Sequence, residues 1–268
     1  MTSFQGGSVQ NEMNTPGTGA TDIQTFVRNR YFYGKLMDVF HFETEQSYFN
    51  EKRWLLNRLV SGYGVICGLN VRLTADGKNI WVDPGVALDK AGREILVPMR
   101  SKPVAIPEAP PQAAPAPEQG REPTMCDEEG WAHIAICFHE CDSDPEPVRA
   151  GDCDVPNPCL PGSIRERYRI AFQPWKAPKI QGLSSIEDLF SSGRLNYEAL
   201  ANHITGNCAQ FPTDPCIPLA NIKLPQAGGT VPVDDIDITI RPIVYTNDLL
   251  FELILAAAPQ PNRPRPNK

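Results

Sequence analysis

The sequence predicts an α+β protein with antiparallel β-strands, a long N-terminal amphipathic helix, a C-terminal helix and proline-rich loops. Proline supplies 27 of the 268 residues, about twice ordinary usage. Because interior prolines break helices, this content excludes a helical bundle. Two segments have apolar residues at helical spacing, and several short segments alternate apolar and polar residues between turn signals.

The charge balance restricts the function classes. Lys and Arg number 25 against 32 Asp and Glu, so the net charge is −7. A protein whose main role is to bind nucleic acid needs a basic face, so this negative net charge argues against nucleic-acid binding. No run reaches the roughly 18 apolar residues of a membrane span, and residues 1–22 lack the basic start and apolar run of a secretory signal. We therefore expect a cytoplasmic protein.

The first predicted elements are a flexible N-terminal arm over residues 1–27 and, over 28–106, a helix followed by a β-module. Apolar residues recur at helical spacing between 44 and 60. Thr44 is the expected N-cap, and Gly62 is the expected left-handed residue after the helix. Aromatic residues between 26 and 42 are expected to pack this helix onto a sheet.

The β-module is predicted to contain three or four short antiparallel strands within residues 64–106. Residues 75–78 (ADGK) and 89–92 (DKAG) are typical hairpin turns, and Asp83-Pro84-Gly85 is a third turn or bulge. Cys67 stands in an apolar strand, so we expect it in the core.

A proline-rich linker is predicted over 107–125, followed by a second α+β module over 126–258 with a Cys-rich loop. This module should contain strands near 131–140 and 166–172, two short helices over 184–204 with Ser184 or Ser185 as cap, and two further strands. A helix capped by Thr246 or Asn247 is expected to close the core, and residues 259–268 are predicted to be a flexible tail.

The Cys-rich loop is the one candidate metal site. Cys137, Cys141, Cys153 and Cys159 have the spacing C-x3-C-x11-C-x5-C, which lacks the usual zinc C-x2-C pair. Zinc, disulfides and unpaired thiols remain open, and a reducing compartment favours thiols. Cys208 and Cys216 are close enough in sequence to bridge each other.

The sequence also lacks the residue patterns of phosphate-binding, serine-hydrolase and calcium-binding sites. The glycine cluster at 62–68 precedes a strand rather than a helix, which argues against phosphate binding. The four histidines are scattered, and there is no G-x-S-x-G sequence. The acidic groups lack the twelve-residue calcium loop. We therefore expect a protein that is not an enzyme and needs no cofactor, with zinc at the four cysteines as the one exception.

The most distinctive segments of the sequence are residues 31–36 (YFYGKL) and residues 57–65 (NRLVSGYGV). Through them the chain resembles a bacterial family encoded with contractile injection systems, which are phage-tail-like particles with a sheath, spike and baseplate. Residues 82–89 (VDPGVALD) are also similar to a β-motif of tail-fibre attachment regions. The resemblance covers nearly all of residues 28–255. It implies a non-enzymatic subunit of the baseplate or its fibre and anchoring apparatus.

The expected function is therefore that of a structural subunit, present in homo-oligomeric copies in a symmetric particle that docks at a membrane. Its partners would be other baseplate, spike or fibre subunits. We expect the assembly interface at Tyr31, Phe32, Tyr33, Lys35 and Arg58. The alternative is a receptor- or carbohydrate-binding module at a fibre tip, for which exposed Trp81, Trp131 or Trp175 on one sheet face would be the platform.

Overall fold

A computed structural model of the chain describes residues 25–109, 130–147, 159–179, 190–191, 194–205, 211–232 and 235–257. The protein is a mixed α+β structure of antiparallel sheets, with a 23-residue N-terminal helix and a short C-terminal helix. This confirms the predicted fold class. The predicted N-terminal arm up to residue 24, the linker from residue 110 and the tail 259–268 lie outside the described residues.

The chain divides into two compact units. One contains Ile186–Phe211 together with Met1–Phe26. Its described elements are a hairpin of β9 (Phe190–Ser191) with β10 (Arg194–Leu195), and the helix α2 (Tyr197–Ile204). Two short helices were expected over 184–204. The first is wrong at its described residues, because Phe190 and Ser191 pair as a strand. Ser184 and Ser185 lie outside the described residues.

The larger unit contains the other elements and begins with helix α1 (Val39–Leu56), which continues as a π-helical turn over Asn57–Ser61. Asp38 is the N-cap: its carboxylate accepts from the His41 N–H at 3.2 Å, and its own N–H donates to His41 Nδ1 at 3.4 Å. The predicted start at Thr44 is wrong, because Thr44 lies inside the helix and donates to the Phe40 carbonyl at 2.8 Å. The helix ends at Gly62 as predicted, but the expected left-handed conformation is wrong, because Gly62 combines a φ of +76° with a ψ of −156°.

Six short strands follow where three or four were predicted. They are β1 (Gly64–Gly68), β2 (Val71–Leu73), β3 (Asn79–Val82), β4 (Gly85–Leu88), β5 (Glu94–Val97) and β6 (Val104–Ala105). They form two three-stranded antiparallel sheets, with the orders β1-β4-β5 and β2-β3-β6. Both predicted hairpin turns are confirmed, since β2 pairs with β3 across residues 75–78 and β4 pairs with β5 across residues 89–92.

The glycine cluster allows β1 and β4 to approach closely. A Cβ on Gly68 would lie 2.1 Å from the Pro84 carbonyl oxygen, and one on Gly85 would lie 2.3 Å from the Cys67 carbonyl oxygen. The register of this pair shifts between Val65 and Cys67. Such a shift disrupts strand alternation, and Cys67 is exposed. The expected core position of Cys67 is therefore wrong.

A third sheet has the order β12-β11-β7-β8 and is antiparallel throughout. Its strands are β7 (Trp131–Pro147), β8 (Cys159–Pro174), β11 (Ile217–Lys223) and β12 (Ile236–Asp237). All three sheets contribute to one apolar core, so the two predicted modules do not have separate cores. Its residues include Val65, Val71, Ile80, Val82, Ala87, Ile95, Val97, Ala132, Ile134, Ile136, Ile217, Leu219, Ala220 and Ile222.

The last element is helix α3 (Asn247–Ala257). Thr246 caps it as predicted, because its hydroxyl accepts from the Leu249 N–H at 3.3 Å. The preceding segment is held beside β1: the Val65 N–H donates to the Pro242 carbonyl at 2.8 Å, and the Val244 N–H donates to the Val65 carbonyl at 3.0 Å. Helix α3 therefore begins just after a segment that lies beside β1, which is the strand that follows α1 in the chain.

The C-terminal part of α1 is anchored on the β4–β5 turn. The Asn57 amide donates to the Gly92 carbonyl at 2.9 Å and to Glu94 Oε1 at 3.0 Å, while Arg53 pairs with Glu94 at 3.1 Å. The turn itself is held by Asp89, which is fully buried. Its carboxylate accepts from the Ala91 and Arg93 N–H groups at 2.9 and 2.8 Å and from Arg93 Nε at 2.7 Å.

We predict that Gly92→Ala lowers the free energy of unfolding by about 2 kcal/mol or more. Gly92 has a φ of +92°, and its Cβ would lie 2.0 Å from the Trp54 carbonyl oxygen. Gly228→Ala is the matched control, because Gly228 has a φ of +75° with nothing within 4 Å. The control should lose only the backbone contribution, about 1 kcal/mol. Urea unfolding followed by tryptophan fluorescence measures both, and equal losses would contradict the Trp54 contact.

Candidate assembly surface

The predicted interface residues Tyr31, Phe32 and Tyr33 lie in a tight turn. The Lys35 N–H donates to the Phe32 carbonyl at 3.1 Å, and Gly34 between them has a φ of +82°. A positive φ at the third position is what a type II turn requires. All three aromatic rings are exposed, and Tyr33 is exposed completely (106%).

Two side chains fix this turn. The Tyr31 hydroxyl donates to the Glu45 carboxylate on α1, and that hydrogen bond raises the pKa of Tyr31. The Lys35 ammonium donates to Asn29 Oδ1 and, at 3.1 Å, to the Arg30 carbonyl. Tyr31 and Lys35 therefore position the turn, and Phe32 and Tyr33 are left as its presented rings.

Arg58, the fifth predicted interface residue, is not brought to the turn. It lies in the π-helical segment, about 20 Å further along the helix than Glu45 at 1.5 Å per residue. The structure thus groups four of the five predicted residues.

Helix α1 carries an apolar stripe that nothing covers in the described structure. Val39, Phe42, Phe49 and Leu56 follow each other at spacings of three and seven residues, which places them on one side of a helix. All four are exposed, and α1 has no buried residue. Tyr48 and Leu55 form a second, half-buried stripe. The expectation that the aromatic residues between 26 and 42 pack the helix onto a sheet is wrong for the five that are exposed, which are Tyr31, Phe32, Tyr33, Phe40 and Phe42.

Helix α3 is apolar around most of its circumference and is also exposed. Helices of this kind are normally buried, and the sequence predicts that α3 closes the core. The structure corrects that expectation, since the core is complete without it. Its exposed apolar residues are Leu249, Leu250, Phe251, Leu253, Ile254 and Leu255.

The VDPGVALD motif acts within the chain. Asp83 pairs with Arg72 at 2.5 Å and with Arg100 at 3.2 Å, and the Arg100 guanidinium lies 4.7 Å from the centre of the Trp81 ring. The hydrogen bond from Arg72 holds the pKa of the Asp83 carboxyl below its usual value, and Arg100 lowers it further. The second acid of the motif, Asp89, is the buried residue that holds the β4–β5 turn. Both acids thus have structural partners.

The predicted zinc ligands are not brought together. Cys137 is bonded to Cys216, 79 residues later. Cys141 lies opposite Arg165 in the β7–β8 ladder, and Cys159 lies opposite Pro147, about 20 Å further along at 3.3 Å per residue. Cys153 lies outside the described residues. Within the described part of the chain, no three His, Cys, Asp or Glu side chains form a metal-binding group.

The Cys137–Cys216 bond shows that the favoured expectation of an unpaired thiol is wrong for Cys137, and it also differs from the expected Cys208–Cys216 bridge. Ile217 is directly opposite Ile136 in the β11–β7 ladder, so the next residues along, Cys216 and Cys137, are neighbours across the strands. Cys208, the expected partner of Cys216, lies outside the described residues. Sequence spacing carries no sign of this bond, but pairing the apolar strands 131–136 and 217–223 in antiparallel register would have indicated it.

Two of the histidines have structural partners. His133 contacts the Trp175 carbonyl oxygen through Nδ1 and Gln173 Oε1 through Nε2, both at 2.8 Å, and His41 caps α1. Both ring nitrogens of His133 therefore have partners within the fold.

No protein-family model matches this chain, and no curated protein is significantly similar to it in sequence. None of the helices that the structure describes is long and apolar enough to cross a membrane.

We predict that the double substitution Cys137→Ser with Cys216→Ser lowers the free energy of unfolding by up to about 4 kcal/mol, because the bond closes a long loop in the unfolded chain. Cys67→Ser with Cys159→Ser is the control, since both thiols are free and exposed, and it should unfold like the unmodified protein. Peptide mapping without reductant should recover the two linked peptides. Recovery of Cys137 as a free thiol would contradict this pairing.

Proposed function

We propose that the chain is a structural subunit of a contractile injection system, in the baseplate or its fibre and anchoring apparatus. Other baseplate, spike or fibre subunits are its partners, and it works in the cytoplasm within a large particle that docks at a membrane. In that compartment the Cys137–Cys216 bond is an exception to the reduced state of most cytosolic thiols. The resemblance of residues 28–255 to the injection-system family supports the proposal that the chain belongs to such a particle. The exposed apolar stripe of α1 is the observation that supports a role in assembly.

The physical reason concerns hydration of apolar surface. Monomeric proteins seldom expose large contiguous apolar areas, and those that are exposed are commonly interaction sites. Phe42, Phe49 and Leu56 are exposed on one side of α1, and α3 adds a second apolar helix. Burying one such side chain contributes about 1.5–3 kcal/mol. Partner subunits would supply this burial.

We further propose that the protein has no catalytic role. The two acidic residues of the 82–89 motif serve the fold, since Asp83 holds two arginines and Asp89 holds a turn. Gly64 also serves the fold, because a Cβ on it would lie 2.6 Å from the Pro242 backbone.

The alternative, a binding module at a fibre tip, has less support. Its expected platform is a cluster of tryptophans on one sheet face. Trp81 lies on β3, in a different sheet from Trp131 on β7. Cations cover both rings, Arg100 over Trp81 and Lys176 over Trp131 at 3.9 Å from the ring centre. Trp175 is half exposed, and its backbone N–H donates to the Trp131 carbonyl.

We predict that Phe42→Ser with Phe49→Ser lowers incorporation into the particle by at least about tenfold, since each lost contact contributes more than 1.4 kcal/mol. The variants are expressed in cells that make the particle but lack the natural subunit, and the subunit that sediments with purified particles is measured. The isolated variant should keep its unfolding temperature, because both rings are already exposed in the chain.

The control is Leu96→Ser with Met99→Ser, two exposed apolar residues that belong to neither α1 nor α3. It should be incorporated normally. If the α1 variant and the control are incorporated equally, the assembly role of this helix is refuted. If the natural subunit does not sediment with the particle, the proposed function itself is refuted.

A further inference from the structure

The β7–β8 hairpin extends beyond the sheet as a two-stranded ribbon. Strand β11 pairs with β7 only from Trp131 to Ile136, whereas β7 and β8 remain paired as far as Pro147 opposite Cys159. We call residues 138–147 and 159–169 the ribbon. Isolated two-stranded ribbons are at best marginally stable in water. The ribbon therefore has the form of an element that contacts something else.

One face of the ribbon is basic. Arg165, Arg167 and Arg169 alternate along β8, opposite Cys141, His139 and Cys137, so they share one face at intervals of about 7 Å. All three arginines are exposed. Arg165 pairs with Asp144 at 2.9 Å. Arg167 and Arg169 have no carboxylate within ion-pair distance among the described residues.

The opposite face is acidic at the same height. Glu140 lies directly opposite Glu166, and Asp142 lies opposite Ile164. All three carboxylates are exposed, and none has a cationic partner in the described part of the chain. Like charges directly opposite each other destabilise an antiparallel pair. Ile164, beside them, is 66% exposed.

We propose that the ribbon of one chain stacks its basic face on the acidic face of the ribbon of a second copy. The proposal rests on the structural role above and names one contact of it, between like subunits. The two faces lie back to back on the same ribbon segment, with the Glu140–Glu166 pair between the rungs of Arg167 and Arg165. Sheets stack about 10 Å apart, a gap that arginine and glutamate side chains bridge together.

This contact is head-to-tail, because each copy offers a different face to each neighbour. Repeated contacts of this type close into a ring or extend into a filament. Exposed ion pairs are individually weak, so the strength comes from several pairs together, from Ile164 and from the apolar stems of the arginines. A contact of this kind weakens as salt is added.

The test is sedimentation velocity of the full-length protein over a range of concentrations. Ionic strength is set at about 0.01 M, where the Debye length is about 30 Å, and at about 1 M, where it is about 3 Å. We expect association at low salt and dissociation at high salt. A chain that stays monomeric at low salt, or that associates more strongly at high salt, refutes the proposal; the latter is what the apolar helices would produce.

Charge-reversed variants identify the two faces. Arg167→Glu with Arg169→Glu makes both faces acidic, and Glu140→Lys with Glu166→Lys makes both faces basic. Each variant alone should associate at least about tenfold more weakly. An equimolar mixture should associate again, because acidic faces then meet basic ones.

Lys78→Glu with Lys102→Glu is the matched control. It changes the net charge as the first variant does, at two exposed lysines outside the ribbon, and it should associate like the natural protein. Circular dichroism verifies that each variant is folded. If the mixture stays monomeric, or if the control loses association equally, the contact is refuted. Because no particle is present, this outcome is separate from the incorporation assay that tests the proposed function.

Discussion

The contact between the C-terminal end of helix α1 and the β4–β5 turn determines which surfaces this protein presents. Gly92 brings the turn within contact of the Trp54 backbone, at a distance that any Cβ would prevent. Asn57 and Arg53 then fasten the last helical turn to Gly92 and Glu94. Because these contacts lie near one end of the helix, the stripe from Val39 to Leu56 is held in a fixed position without being buried.

The core explains why the helices are available for partners. The buried residues of the described core come from the strands of three sheets and the loops beside them, and none comes from a helix. Glycines at 68 and 85 make this arrangement compact where β1 meets β4. The segment after Pro242 is hydrogen-bonded to β1 and leads directly into α3. The two exposed helices thus join the body at the same strand.

Local signals predicted the elements whose causes are local. The hairpin turns at 75–78 and 89–92, the end of α1 at Gly62 and the cap at Thr246 all follow from turn and capping chemistry of a few residues. The predicted cap of α1, Thr44, lies six residues after the actual cap, Asp38. Asp38 is the stronger cap because His41 completes a reciprocal pair of hydrogen bonds with it, and histidine is outside the usual Glu or Gln pattern.

Long-range features were not predictable in the same way. An apolar stripe has the same spacing whether its partner is the same chain or another one, so periodicity placed α3 in the core. The Cys137–Cys216 bond depends on the register of two strands far apart in sequence. The meeting of Glu140 with Glu166 on one ribbon face likewise appears only once the register of β7 and β8 is known.

The central claim is that partner subunits cover α1 and α3, and backbone hydrogen exchange measures this directly. Exchange of the amides in Val39–Leu56 and Asn247–Ala257 is compared between the isolated protein and the purified particle. We expect exchange in both helices to slow by at least about tenfold in the particle, as it does when partner contacts oppose local opening. The core strands, β11 and the first half of β7, should exchange slowly in both. Equal exchange of the two helices in the free and assembled protein would contradict this account.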